Sequence, residues 1–327
     1  MRRLALALIA LALGACTAPT ASPPPTADLG LRPITAAPNE APPSATPTTH
    51  PPTPTHTPFG DALPPYRAAR GAFVRVAGDG LQLNGERFSV RGLTLTHDLW
   101  AEHALAQLEA DFARLQRIGA NTVRLPLRDE ALFADGAPIP AGFARLDAVL
   151  RLAAAYDVRV ILVLHADAAP AALPPTETVG TLAARYRGEP SLLMWDLRDV
   201  ETAALYASVS RDEALLWLAR SAARVRAADP VHPLTASWRG DALGTLAWVD
   251  VVSVQMTDSV ETLRRQVAAL RQLSAKPLLL SAFGGAELET LRATVRAAEG
   301  DRLAGWLLNS ANTPAEPFET LDALLNP

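Results

Sequence analysis

Beyond residue 88 the chain alternates between two apolar patterns. The first is a short apolar run, found at Ser89–Leu95, Thr122–Leu127, Arg159–His165, Ser191–Asp199, Leu234–Trp238, Val249–Gln255, Pro277–Phe283 and Gly305–Asn309. Runs of that length suit parallel strands buried on both faces. The second is a helical stripe: Leu105, Leu108, Phe112, Leu115 and Ile118 recur at spacings of 3, 4, 3 and 3, which lines up one face of an α-helix. Phe143–Tyr156, Asp212–Ala228, Ser259–Leu273, Ala286–Ala298 and Pro317–Leu325 behave in the same way. Pro230, Pro233 and Pro277 punctuate the strand starts. Ahead of the first run, Gly78-Asp79-Gly80 and Asn84-Gly85 are turn signals flanked by β-type residues, and predict a small hairpin within residues 73–90. Eight strand–helix units in succession predict an α/β fold, a (β/α)8 TIM barrel preceded by a short β-hairpin, rather than an open doubly wound sheet. No Gly-x-Gly-x-x-Gly or phosphate loop supports a nucleotide fold.

The first 65 residues follow neither pattern. Arg2 and Arg3 precede an apolar run of 12 residues, Leu4–Ala15. A bilayer takes about 20 helical residues to cross, so this run has the proportions of a secretory signal instead. Its end, Leu13-Gly14-Ala15-Cys16, resembles a bacterial lipobox. That resemblance implies cleavage before Cys16 and lipidation of its thiol, which would tie the protein to an extracytoplasmic membrane face. An ordinary signal peptide with a chance cysteine is the other reading. Of the 28 prolines, 15 fall between residues 17 and 65, among Thr, Ala and Ser. Such a stretch cannot bury a core and favours extended, disordered chain. The expected organisation is a signal peptide at 1–15, a lipidated Cys16 with a Pro/Thr-rich linker at 16–65, and a barrel at 66–327.

Charge and residue counts remove several function classes. The formal net charge is −4, which gives no basic field for nucleic acid. One cysteine excludes an intrachain disulfide framework. The body's histidines, His97, His103, His165 and His232, form no His-Glu-x-x-His motif, and Gly-x-Ser-x-Gly is absent. No metal or cofactor is implied, and the sequence is silent on oligomeric state.

A barrel carries its site at the C-terminal ends of its strands. Those ends bring Thr96, His97, Arg124, His165, Asp199, Val200, Trp238, Gln255, Thr257, Ala282 and Asn309 to one mouth. Here the chain resembles the retaining glycoside hydrolases of clan A, most closely family 5, the cellulase-like group. The resemblance rests on Leu81-Gln82-Leu83-Asn84-Gly85-Glu86-Arg87-Phe88 with Val90-Arg91-Gly92-Leu93, on Ile118-Gly119-Ala120-Asn121-Thr122-Val123-Arg124-Leu125, and on Val160-Ile161-Leu162-Val163-Leu164-His165. Asp250-Val251-Val252-Ser253-Val254 and Lys276-Pro277-Leu278-Leu279-Leu280 extend it. It implies two catalytic carboxyl groups about 5–5.5 Å apart, one nucleophile and one acid/base. In Trp195-Asp196-Leu197-Arg198-Asp199-Val200-Glu201, counting from Trp195 puts Asp199 on the family's Asn and Val200 on its acid/base Glu. In Ser281-Ala282-Phe283-Gly284, Ala282 falls on the nucleophile. Neither side chain can do the chemistry, so Asp199 and Glu201 are the candidate substitutes. A bulge would be needed to turn Glu201 onto the face of the acid/base position.

The same resemblance marks Arg124, His165, Asp199, Trp238, Gln255 and Asn309 as candidate ligand contacts. Arg124 has a second reading as an ion-pair partner of Asp199, His165 as a satisfied barrel-mouth histidine, and Trp195 and Trp238 as barrel packing. Three functions stay open. The leading one is a membrane-anchored pseudoglycosidase that binds a glycan or another ligand at the mouth. The others are an active O-glycosyl hydrolase with relocated carboxylates, and a structural or partner-binding envelope lipoprotein.

Overall fold

A computed structural model describes residues 63–256, 259–312 and 316–327. The expected signal peptide, Cys16, most of the linker, the expected mouth residue Thr257 and its neighbour Asp258 lie outside the described residues. Among the described residues, Leu63, just before the expected boundary at 66, is buried in the main core.

The N-terminal strands β1 (Arg75–Ala77), β2 (Gly80–Leu83) and β3 (Glu86–Phe88) make a three-stranded antiparallel sheet. The expected hairpin is therefore a meander, because both turn signals are used. Asn84 takes φ 55° and Gly85 φ 84°, the left-handed pair that a tight turn demands.

The barrel strands are β4 (Val90–Thr94), β5 (Thr122–Pro126), β8 (Arg159–Val163), β9 (Leu192–Glu201), β10 (Leu234–Arg239), β11 (Val252–Gln255), β12 (Leu278–Phe283) and β13 (Gly305–Asn309). A small excursion, β6 (Phe133–Ala134) with β7 (Ala137–Pro138), lies between β5 and β8. The eight barrel strands pair in parallel in the order β10-β9-β8-β5-β4-β13-β12-β11. The seam between β10 and β11 is held by Asp250 N and Val251 N donating to Leu234 O at 2.8 and 3.0 Å. Leu234 N in turn donates to Asp250 Oδ2 at 2.9 Å. Gly305 opens β13 with φ +140°, and a Cβ there would strike the Val90 backbone on the neighbouring strand.

Helices α1 (Ala104–Ile118), α2 (Asp129–Leu132), α3 (Pro140–Ala155), α4 (Glu177–Tyr186), α5 (Thr202–Tyr206), α6 (Arg211–Ala228), α7 (Ala242–Thr245), α8 (Val260–Leu273), α9 (Leu288–Gly300) and α10 (Pro317–Leu325) follow the strands. The sequence reading has no counterpart of α4. Gly180 and three threonines around it (176, 178 and 181) lower its helix propensity, yet Val179, Leu182, Ala183 and Tyr186 form its buried stripe.

The interior is layered. Ile161, Met194, Val251, Leu279 and Leu307 fill the bottom, plugged by Val74 and Leu81 from the N-terminal segment. A second cluster lies between the strands and the helices. The polar layer at the top forms the mouth.

Candidate functional site

The mouth is organised by a bulge in β9. Asp196 pairs with Thr235, but Asp199 pairs with Ser237, so three steps on β9 face two on β10. The extra residue turns Asp196 and Asp199 to the same inner side. Pairing then runs regularly, Val200 with Trp238 and Glu201 with Arg239. Alternation therefore sends Asp199 and Glu201 to the mouth and Val200 outward. Val200 and Trp238, at 5% and 2% exposure, pack in the cluster beneath the helices. This changes two sequence expectations. Val200 is not an emptied mouth position, because it faces away from the mouth. Trp238 offers no ring face to a ligand.

Strand β12 behaves differently. It also bulges, with Leu280 opposite Val254 and Ala282 opposite Gln255. Ser281 and Ala282 therefore both turn inward. Ser281 reaches the serines of the barrel interior, and Ala282 lines the mouth cleft.

Arg124 sits on β5 at 3% exposure and holds two carboxylates. Its Nη2 donates to Asp196 Oδ2 at 2.7 Å, its Nε reaches the same oxygen at 3.1 Å, and its Nη1 meets Asp199 Oδ2 at 2.9 Å. Burial alone would lower the Arg124 pKa, but Asp199 and Asp196 outweigh it and the net shift is upward. Burial raises the Asp196 pKa from its ordinary value and repulsion from Asp199 adds to the rise, against the pull of Arg124 and Ser237. The ion-pair reading of Arg124 is thus the one the geometry carries.

Polar contacts continue across the barrel. Ser237 Oγ donates to Asp196 Oδ2 at 2.6 Å and lies 3.0 Å from Ser253 Oγ, which contacts Ser281 Oγ. Gln255 Nε2 donates to Asp199 Oδ1 at 3.2 Å, while its Oε1 accepts from Arg239 Nε at 2.7 Å. Arg239 Nε also lies 3.5 Å from Glu201 Oε2. Asn309 Oδ1 accepts from Ala311 N at 3.1 Å. His165, at φ 56° just past β8, is 2% exposed; its Nδ1 binds Asp129, its Nε2 is buried without a partner, and its ring meets Trp217 edge-on. It is walled off from the mouth solvent.

A cleft of about 540 Å³ lies over Glu201, Arg239, Gln255, Met256, Ala282, Phe283, Gly284, Gly285 and Asn309. It unites Glu201, Gln255, Ala282 and Asn309 from the expected set. Arg124, His165, Val200 and Trp238 do not line it, and Asp199 borders it through Gln255. Among the described residues Glu201 is its single carboxylate. Among the described residues no three His, Cys, Asp or Glu groups are arranged to hold a metal ion. The sequence reading missed Asp196, Ser237, Ser253 and Arg239. Asp196 carried a signal, an acid inside the apolar run Leu192–Leu197.

Residues 81–199 match the family model of Cellulase (glycosyl hydrolase family 5). No curated protein sequence matches the chain. Among solved structures, the endo-1,4-β-mannanase of Rhizomucor miehei superposes with a TM-score of 0.61 at 12% identity, over 78% of this chain and 98% of that one. The β-mannanase of the blue mussel Mytilus edulis gives 0.58 at 14%, over 79% and 97%. The endo-1,4-β-mannanase of Eisenia fetida gives 0.59 at 15%, over 78% and 96%. At such identities the likeness concerns architecture, and a shared architecture does not transfer a reaction without its site. The chain has a TIM-barrel fold like that of these glycoside hydrolases, and the stretch from β2 into β9 is similar to the glycosyl hydrolase family 5 model.

Proposed function

We propose that the protein is a pseudoglycosidase that binds a carbohydrate in the mouth cleft and does not hydrolyse it. The observation that carries this reading is the count of carboxylates: among the described residues the cleft has Glu201 alone, where retaining hydrolysis takes two, one on each side of the scissile bond. Opposite Glu201 stand Ala282, Gly284 and Gly285, none with an oxygen able to form a glycosyl ester. The mannanase likeness makes a β-1,4-linked hexose chain the first ligand to try. Gln255 and Asn309 line the cleft where its hydroxyls would lie. Anchoring through a lipid on Cys16 belongs to the same proposal, and a Cys16→Ser change moves the protein out of the membrane fraction if it is right.

The test is an assay of binding and turnover on mannan, β-glucan and aryl glycosides. Saturable binding that weakens on Asn309→Ala, without turnover, is the expected result. Turnover abolished by Glu201→Gln sinks the proposal.

That second outcome has one specific observation in its favour, the bulge that turns Glu201 into the cleft. Asp199 and Glu201 are alternate residues about 7 Å apart along the strand, within the 6.5–9.5 Å span of an inverting pair. Against it, both carboxylates lie on one strand and so on one side of a substrate, and Asp199 is held by Arg124.

A further inference from the structure

The opposite end of the barrel carries an unusual concentration of positive charge. Two adjoining hollows of about 510 and 250 Å³ meet over Arg91, Glu299 and Trp306. Arg91 sits near the start of β4 and Trp306 near the start of β13, so this groove lies at the barrel bottom, away from the mouth. Five guanidinium groups border it, from Arg87, Arg91, Arg292, Arg296 and Arg302, against two carboxylates, the side chain of Glu299 and the terminal group of Pro327. The whole chain, in contrast, has a net charge of −4.

Part of this cluster has a structural duty. Arg87 donates to the carbonyls of Arg302 and Leu303 at 3.3 and 3.4 Å, and Arg292 binds Glu289 at 2.7 Å. Cations commonly tie down carbonyls at the C-terminal ends of helices. The remainder has none. Arg296 and Arg302 are exposed and their guanidinium groups meet no carboxylate or carbonyl among the described residues, and Arg91 reaches Glu299 only at 3.9 Å. Independently, two residues that line the groove each carry a buried donor with no acceptor: Trp306 Nε1, in a side chain 1% exposed, and Arg292 Nε. Buried donors without partners cost free energy and call for an explanation.

We propose that this groove binds a phosphate-bearing anion. Guanidinium forks match phosphate oxygens in geometry and pair with them in charge-assisted hydrogen bonds. A single carboxylate has about four lone-pair sites, too few for the unspent N–H groups of Arg91, Arg296 and Arg302 together. A diphosphate or a phosphodiester headgroup flanked by apolar groups fits better, since Val295, Leu303 and Leu324 also line the hollows. The source is either a free polyphosphate or a lipid headgroup.

The experiment titrates the full chain in detergent by calorimetry, at physiological ionic strength, with inorganic pyrophosphate and with monomeric dihexanoyl phosphatidylglycerol. Saturable binding of at least one probe is expected, weakened at least tenfold in Arg296→Glu/Arg302→Glu, several-fold in the milder Arg296→Gln/Arg302→Gln, and not at all in Arg220→Glu, an exposed arginine on α6. Tighter binding of pyrophosphate assigns the free polyanion, and tighter binding of the lipid assigns the headgroup. An unchanged thermal midpoint in the variants shows that the barrel is intact. Equal affinity in wild type and the charge-reversed variant, or no saturation with either probe, overturns the proposal.

Discussion

The two sides of the mouth are built on opposite principles. On the β5–β9–β10 side, charged groups are packed together and satisfy one another: Arg124 holds Asp196 and Asp199, Ser237 supports Asp196, and Gln255 links Asp199 to Arg239. On the β12 side the cleft wall is Ala282, Gly284 and Gly285, with space and no charge. Glycosidase chemistry needs carboxylates that face each other across a substrate. Here one side commits its charges to internal pairs, and the other has none to offer. The total of carboxylates around a barrel mouth is therefore a poorer guide to reactivity than the number that line its cleft. What matters is which carboxylates remain unspent, and on which side.

The contrast is broken most severely at Arg124. Arg124→Met leaves Asp196, fully buried, and Asp199 without their cation. Removing one partner of a buried pair costs about 3–5 kcal/mol, and the urea midpoint should fall accordingly. A loss under about 1 kcal/mol would show that the charged side does not hold itself together.

Asp196→Asn is the milder and more informative change. Burial raises the folded pKa of Asp196 above its unfolded value. Between those two values the folded state binds more protons than the unfolded state, so this group's contribution to stability is present at low pH and lost as pH rises through the folded pKa. The stability difference between wild type and Asp196→Asn should shift in favour of wild type as pH falls toward the unfolded carboxylate value. Urea midpoints of both proteins measured at several pH values check it. A difference that stays flat would mean that Asp196 titrates alike in both states.

The smallest change in stability is expected on the open side. Ala282→Glu adds a carboxylate to a cleft with room for it and should shift stability by roughly 0.5 kcal/mol or less. It also places an acid across the cleft from Glu201. Hydrolysis of aryl glycosides by Ala282→Glu, lost again in Ala282→Glu/Glu201→Gln, is the expected gain.

Much of the fold was legible because its signals are local. Eight apolar runs and their intervening stripes recur at every unit, and Gly305–Asn309 and Pro317–Leu325 match their elements end to end. The miss at α4 is also local, since threonines and Gly180 mask a stripe that only packing makes decisive. The mouth was legible on β12, where Ala282 does face the cleft, and illegible on β9. Nothing in Trp195-Asp196-Leu197-Arg198-Asp199 announces a bulge. Asp196 was hidden for a related reason: its partner Arg124 lies 72 positions away, and long-range charge pairing leaves no periodic trace.

The bulge at Leu197–Arg198 acts on the strand as a single inserted base acts on a gene. Everything downstream is read in a shifted frame. Counting columns from Trp195 lands on a valine and reports a lost acid. Counting faces lands on Glu201 and reports an acid displaced by one step. A barrel that gains or sheds one such residue can hide or reveal a side chain at its mouth without changing that side chain.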